Sequence, residues 1–510
     1  MVASCLPIVN VVNPLSWTRA APVEAVMTPC MPRVGALTDS TTGVDIDSQL
    51  AFDDASGCTL VFVVPDVPAF GYKTVVAAPG PPTGANQSRP LAPGAPWTSP
   101  FTNAFYTITP ATGGLASMVD LATGKELFNT SELLAGEWVS LTYTGMGASE
   151  TREYAHAQAD GSFQRLSQFA SATWSVLESG PVRTVFGTAP VQTNHSVVSL
   201  RLDVWAGVRR VDLRVHLGAW DSAFGAANRV SFPVRSNVRQ VTYAAPFGVV
   251  RVGQDEAENG TDDVWLTSPG PDVPLFERAW AMHPREVADW MHAEGDGVGV
   301  ILSSPVGVMD FVDCSGRYAP TQPVLAPELM LHTDSNRGPF LPEPGDHDFL
   351  VSIAATLPGG GWAALWRAPV EANNPATVVW RAAGGAPAPG AWLPPRAGLI
   401  SVIDDANGGA EDPGSWLTAL KKQDDGVTEA RSNVVARVFN VDGVDRPSLK
   451  LRVDFPVPGD AGAGRMLAAA ARTNLIELEP EELPGVAGTR FAPVPLGHWA
   501  IETLSLDFGV

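Results

Sequence analysis

Cysteine is scarce in this chain, four in 510 residues, and Cys5, Cys30, Cys58 and Cys314 stand too far apart for any CxxC metal or redox motif. A chain of this size does not need disulfide staples, so these residues leave the compartment open. Charge is also sparse, at 17% of residues, and basic groups are the minority: 33 Lys and Arg against 54 Asp and Glu, a formal net charge of −21. A field of that sign repels phosphate backbones and anionic membrane surfaces, which argues against nucleic acid as a partner. No apolar run approaches the ~18 residues of a membrane span. The segment from Met1 to Asn13 has no basic n-region and too short an apolar stretch for a signal peptide. The chain therefore reads as soluble, with no address of its own.

Several catalytic signatures are missing as well. The absence of GxSxG argues against a serine-hydrolase elbow, and the absence of GxGxxG and Walker A loops argues against nucleotide chemistry. HExxH and EF-hand loops are absent too. Asn-x-Ser/Thr sequons begin at Asn86, Asn129, Asn194 and Asn259, as a Ser/Thr-rich sequence produces by chance.

What is present is apolar residues and turn residues. Hydrophobic residues make up 45%, with 15 Trp and 20 Phe, enough to build a core, while 49 Gly and 45 Pro exclude a coiled coil or long helical bundle. The length suggests about two to four domains. Thr59–Val64 and Tyr72–Ala77 read as a hairpin or adjacent strands, and Ala104–Pro110 with Ala111–Asp120 as strand, Gly-containing turn, strand. In Arg210–Leu217 the apolar residues Val211, Leu213, Val215 and Leu217 alternate with Arg210, Asp212, Arg214 and His216, the period of a half-buried antiparallel strand. Val197–Trp205, Val249–Val252, Gly299–Leu302, Phe349–Ala354, Val434–Asn440 and Leu449–Phe455 have the same texture. The best helical segment, Arg465–Arg472, is short. An all-β, mostly antiparallel chain follows. The prolines between residues 79 and 100 cannot donate ladder hydrogen bonds, so a linker is expected there. It separates a small β-domain at 1–78 from a large β-sandwich at 101–385, which a C-terminal β-domain at 386–510 follows.

Candidate chemistry is thin. His332 and Asp334 share one face if extended, but Asp310 and Asp313 are not placed beside them, and the set is incomplete for zinc. In Asp346-His347-Asp348 the two carboxylates share a face and His347 points away, so an extended triplet cannot chelate one ion. Glycosidase chemistry needs two facing carboxylates. The runs Asp404-Asp405, Asp424-Asp425 and Glu477–Glu482 instead read as solvated faces or turns. Trp138, Trp205, Trp220, Trp280, Trp290, Trp362 and Trp366 are read first as packing residues, and second as sugar platforms.

A set of short elements in order carries a resemblance. They include Val11-Val-Asn-Pro-Leu-Ser-Trp17, Phe70-Gly-Tyr72, Thr112–Asp120 with Thr123–Glu126, Glu178–Arg183, Arg209–Asp212, Trp220-Asp221 and Arg229–Val234. Further along come Tyr243–Arg251, Gly297–Leu302, Gly345–His347, Trp416–Lys422, Arg437–Asn440 and Thr473–Glu477. Together they resemble the C-terminal half of a glycoside hydrolase family 38 α-mannosidase. The resemblance implies a large antiparallel supersandwich of the galactose-mutarotase-like kind, flanked by smaller β-sandwich domains. It implies a function in zinc-dependent, retaining hydrolysis of terminal α-mannosyl residues in glycans. In that family the zinc ligands and the catalytic carboxylates belong to an N-terminal (β/α) domain that this sequence does not match, so no catalytic residue, metal ligand or cofactor is expected in this chain. The chain alone is then expected to be inactive, with an N-terminal α-mannosidase catalytic domain or subunit as partner. His332, Asp334 and Arg337 fall where the family carries an arginine-bearing segment near the mannose subsite, which makes them the candidate substrate-binding residues. A non-catalytic carbohydrate-binding or assembly protein is the alternative, and a self-sufficient hydrolase would need a carboxylate pair roughly 5 to 10 Å apart.

Overall fold

The computed structural model describes residues 8–27, 34–52, 58–79, 94–142, 163–223, 225–237, 240–255, 284–305, 307–313, 317–319, 321–331, 343–355, 361–381, 394–423, 433–457 and 460–509. The chain forms two compact units, one of Met1–Asn86 with Asn374–Val510 and one of Gln87–Asn373. All strand pairings among the described residues are antiparallel, and every expected strand forms.

The first unit begins with the period-two strand Ile8–Asn13, whose Val9, Val11 and Asn13 face inward. It pairs with Gly71–Pro79 on one side and with Thr377–Arg381 on the other, so the unit boundary lies before Thr377 rather than at residue 385. A three-stranded sheet of Arg19–Met27, Cys58–Val67 and Ser48–Phe52 supplies Val23, Leu60, Phe62 and Val64 to the same core. Cys58–Val67 and Gly71–Pro79 are therefore not a hairpin, although they are consecutive. Pro65 and Pro68 interrupt the ladder, and Asp66 and Phe70 adopt left-handed φ of 51° and 38°, which turns the chain from one sheet to the other.

The same unit holds a four-stranded and a five-stranded sheet built from residues 400–509, sharing a core of Leu417, Val438, Leu451, Leu504 and Leu506. Arg465–Arg472 is not a helix. Its second half belongs to the strand Ala469–Thr473, in register with Ile501–Asp507 so that Ala470 lies opposite Leu506. An eight-residue alanine stretch is too short to sustain a helix against a complete sheet edge.

The second unit is the supersandwich. An eleven-stranded sheet contains Val197–Trp205, Val211–Trp220, Val298–Ser303 and Gly345–Ala355, and a six-stranded sheet contains Glu137–Thr142, Ala226–Pro233 and Val324–Leu331. Register places Leu200 opposite Val215 and Leu213 opposite Val351, so inward rows stack across strands. With Trp138, Phe186, Phe232 and Leu302 they form a single core. Outward residues of the same strands carry the charge: Arg201 and Arg214 both pair with Asp203 at 2.8 and 3.2 Å. The short helix Arg367–Asn373 packs on Val298–Ser303 and Gly345–Ala355. No helix of the described residues is long and apolar enough to cross a membrane.

Candidate functional site

The supersandwich carries a polar cleft of about 950 Å³ whose lining includes Lys125, Glu126, Asn129, Arg235, Asp296 and Gln322. Its floor is set by local sequence. Phe128 and Val234 bridge as a short antiparallel pair, with Asn129 N–H donating to the Pro233 carbonyl at 2.8 Å and Arg235 N–H to the Leu127 carbonyl at 2.8 Å. Phe128 and Val234 are buried, and the Phe128 ring lies 6.0 Å from Phe232. Because side chains alternate across an extended pair, anchoring Phe128 and Val234 in the core leaves Asn129 and Arg235 on the cleft side.

The amides then order themselves. Asn129 Oδ1 accepts from Ser131 N–H at 3.3 Å, which turns Asn129 Nδ2 towards Gln322, whose Oε1 accepts at 2.7 Å. Gln322 Nε2 is left buried without an acceptor, on a residue only 7% exposed. Glu126 is committed to the scaffold, accepting from Met118 N–H at 2.9 Å, Phe128 N–H at 3.3 Å and the Ser117 hydroxyl. Lys125 Nζ donates to the Asp296 carbonyl at 2.9 Å, and Asp296 Oδ2 accepts from Asn237 N–H at 2.9 Å. Asp296 and Gly297 have φ of 54° and 73°, the left-handed pair of a tight Asp-Gly hairpin, and this fixes Asp296 at the rim.

A second polar group is buried deeper. Arg229, 1% exposed, donates from Nη1 to Asp310 Oδ2 at 2.5 Å and from Nη2 to Glu328 Oε2 at 2.7 Å. Asp310 also accepts the backbone N–H of Phe311 and Val312 at 2.7 and 3.1 Å. One guanidinium holds both carboxylates, which makes this an internal strut rather than an acid/base pair.

A third lies on the strand Trp290–Gly295. His292 is fully buried with no hydrogen-bond partner on either ring nitrogen, and burial pushes its pKa down to about 3. The nearest carboxylate oxygen, Glu294 Oε2, is 3.9 Å away, and burial raises the Glu294 pKa. Burial raises Asp289 as well, against the hydrogen bond it accepts from Asn373 at 3.1 Å.

His332, Asp334 and Arg337 lie outside the described residues, as do Trp280, Asp424 and Asp425. Asp346, His347 and Asp348 sit on the extended strand Gly345–Ala355 and contact different partners: Ala219 N–H at 2.8 Å, the Glu343 carbonyl at 2.9 Å and His216 at 2.9 Å. Among the described residues no group of three His, Cys, Asp or Glu is placed to hold a metal. Asp404 is not a solvated carboxylate; it is 8% exposed and accepts from Ala406 N–H, Asn407 and Ser448 at 3.0, 2.8 and 2.5 Å. Trp138, Trp205, Trp220, Trp290 and Trp366 are core residues, and Trp362 stacks on Trp290 at 5.3 Å. The sequence reading missed Asn129, Gln322 and Arg235 as a site; its one signal there, the sequon at Asn129, concerned a different property.

These observations define the class first: an all-β protein with one large supersandwich and two smaller β-sandwiches. Residues 416–504 match the family model for the glycosyl hydrolases family 38 C-terminal beta sandwich domain. Among solved structures, an alpha-mannosidase from Enterococcus faecalis V583 aligns at a TM-score of 0.67 and 14% identity, over 99% of this chain and 56% of its own. A glycosyl hydrolase family 38 protein from Enterococcus faecalis aligns at 0.63 and 14%, over 99% of this chain and 58% of its own. A galactose mutarotase-like protein from Lactobacillus casei aligns over 50% of this chain at a TM-score of 0.30 and 12% identity. Comparison with curated proteins finds no match. The chain thus shares its fold along 99% of its length with these two structures and matches the family 38 C-terminal domain model over residues 416–504, and it spans little more than half the length of each of the two.

Proposed function

We propose that this chain is the C-terminal β-portion of a zinc-dependent, retaining α-mannosidase acting on terminal α-mannosyl residues of glycans. The observation that carries the reading is the alignment of 99% of the chain with part of an alpha-mannosidase, together with the family match at 416–504. Retaining hydrolysis needs two carboxyl groups about 5 to 5.5 Å apart across the scissile bond, one as nucleophile and one as acid. The close carboxylates in the described interior, Asp310 and Glu328, are both bound to Arg229. The described residues also do not fit a zinc site. No bond-breaking step is therefore assigned to them. In this reading zinc and the reacting carboxylates belong to a partner region, either an N-terminal α-mannosidase domain or a separate subunit, and the β-portion supports that region and the glycan.

The test is association. The purified chain, mixed with the N-terminal catalytic part of the Enterococcus faecalis alpha-mannosidase, should co-elute with it in gel filtration. Independent elution at all ratios would remove the proposed partner.

A further inference from the structure

We infer that residues 361–373 form an acid-released strap, which lies over the outer face of the eleven-stranded sheet and lifts from it when His292 beneath takes up a proton. The inference does not rest on the function proposed above. It begins with the alternation of Trp290–Gly295. Met291 and Ala293 point into the supersandwich core, so Trp290, His292 and Glu294 lie on the opposite face. The strap is fastened to that face at both ends. At its start Trp362 stacks on Trp290, centroids 5.3 Å apart at 26°, and Gly361 lies so near Glu294 that a Cβ there would be 3.6 Å from Oε2. At its end Asn373 Nδ2 donates to Asp289 Oδ1 at 3.1 Å. His292 stands between Trp290 and Glu294, fully buried, with no hydrogen-bond partner on either ring nitrogen. A buried imidazole in that state is destabilising, and a proton makes it more so.

The strap can move without the rest of the sandwich. Its helix, Arg367–Asn373, has seven residues and is too short to persist off the sheet, where Trp366 and Val370 are buried. The supersandwich core lies on the other side of the strands, in Met291, Ala293, Val300 and Leu302, and lifting the strap leaves it closed. With the strap down, burial holds the His292 pKa at about 3, whereas a solvated imidazole has the ordinary 6.5. The closed form is therefore fully favoured above about pH 6.5, and below it the lifted form gains by about tenfold per pH unit.

The charges around His292 do not supply a counter-ion that would keep the strap closed. On its own strand Glu294 Oε2 is 3.9 Å away, beyond hydrogen-bond reach. Asp289 is engaged by Asn373 at the far end of the strap. The charged residues of the strap are Arg367, over the Trp366 ring, and Glu371, and neither is without a partner. Thr242 and Ile301, opposite His292 on the neighbouring strands, are uncharged. Further across the sheet Arg210 pairs with Asp212 at 3.0 Å. Asp289 and Glu294 act in the opposite sense to His292: burial raises both, so protonating them favours the closed strap.

The experiment is hydrogen exchange of the full chain at about pH 7.5 and about pH 5, corrected for intrinsic rates, beside His292→Leu, in which Asp289 and Glu294 titrate alone. Strap amides should be less protected than those of Val197–Trp205 at both pH values. Between the two, wild type should lose about 30-fold in strap protection relative to His292→Leu. The same pH response in both proteins would overturn the inference. So would strap protection equal to that of Val197–Trp205 at both pH values, since only global unfolding would then free His292. If His292→Leu does not fold, Trp362→Ala carries the test, because Trp362 is half-buried and its loss removes the clasp on Trp290. In Trp362→Ala, NMR of the imidazole should show His292 titrating close to its ordinary value. A His292 that stays neutral down to about pH 4 in that variant would overturn the inference.

Discussion

Trp17 packs edge-on against Trp416, ring centroids 6.2 Å apart at 69°, and thereby joins the opening strand region to the first residue of the segment that matches the family 38 C-terminal domain model. The surrounding contacts reinforce this pair. Asn13, 0% exposed, ties the Asn-Pro-Leu-Ser-Trp turn together by donating to the Trp17 and Pro68 carbonyls at 2.7 and 3.0 Å. Ser16 Oγ accepts from Leu417 N–H at 3.1 Å, and Glu411 accepts both the Thr18 N–H and its hydroxyl at 2.8 Å. Residues 1–86 and 374–510 are thus one structural unit.

Trp17→Ala should therefore destabilise both ends of that unit, by about 3–5 kcal/mol for a buried tryptophan. Hydrogen exchange is the direct readout. Uptake should rise in Val434–Asn440 and Ile501–Asp507 as well as in Ile8–Asn13, and a rise confined to Ile8–Asn13 would contradict the shared unit.

His292 gives a pH dependence of known sign. Its folded pKa, about 3, lies below the ordinary 6.5, so the unfolded chain takes up the proton first. Its neutral form is compatible with the native state above about pH 6.5, and stability falls as pH drops from there towards about 3, by up to about 1.4 kcal/mol per unit. Urea unfolding at pH 7 and pH 5 should show a smaller loss for His292→Leu than for wild type. Equal losses would mean that His292 is not the titrating group.

Arg229→Leu should cost about 3–5 kcal/mol, because the buried Asp310 and Glu328 would both lose the guanidinium that pairs with them. Removing all three charges together, as Arg229→Leu with Asp310→Asn and Glu328→Gln, should recover a large part of that loss. Thermal unfolding of both variants checks the pair. A triple variant no more stable than the single one would show that the ions are not coupled.

The strands were legible because one face of each is buried and the period is short. In Val211–Trp220, Leu213, Val215 and Leu217 are buried while Arg214 is exposed, as alternation requires. Asp212 breaks the pattern: it is buried by Arg210, Trp205 and Ser352, partners that no local window includes. Asp404 was misread for the same reason, since Ser448 reaches it from another strand. Arg465–Arg472 misled through alanine content, where pairing with Ile501–Asp507 decides the outcome. The cleft was illegible because Asn129, Arg235, Asp296 and Gln322 meet only through the Phe128/Val234 bridge and a hairpin turn, with no motif spacing between them.

The measurement closest to the central claim is hydrolysis of an aryl α-mannoside by the purified chain, with and without added zinc, and again after mixing with the N-terminal catalytic part of the Enterococcus faecalis alpha-mannosidase. The account predicts no turnover from the chain alone at any zinc concentration, and turnover in the mixture above that of the catalytic part by itself. Zinc-dependent turnover by the chain alone would contradict it.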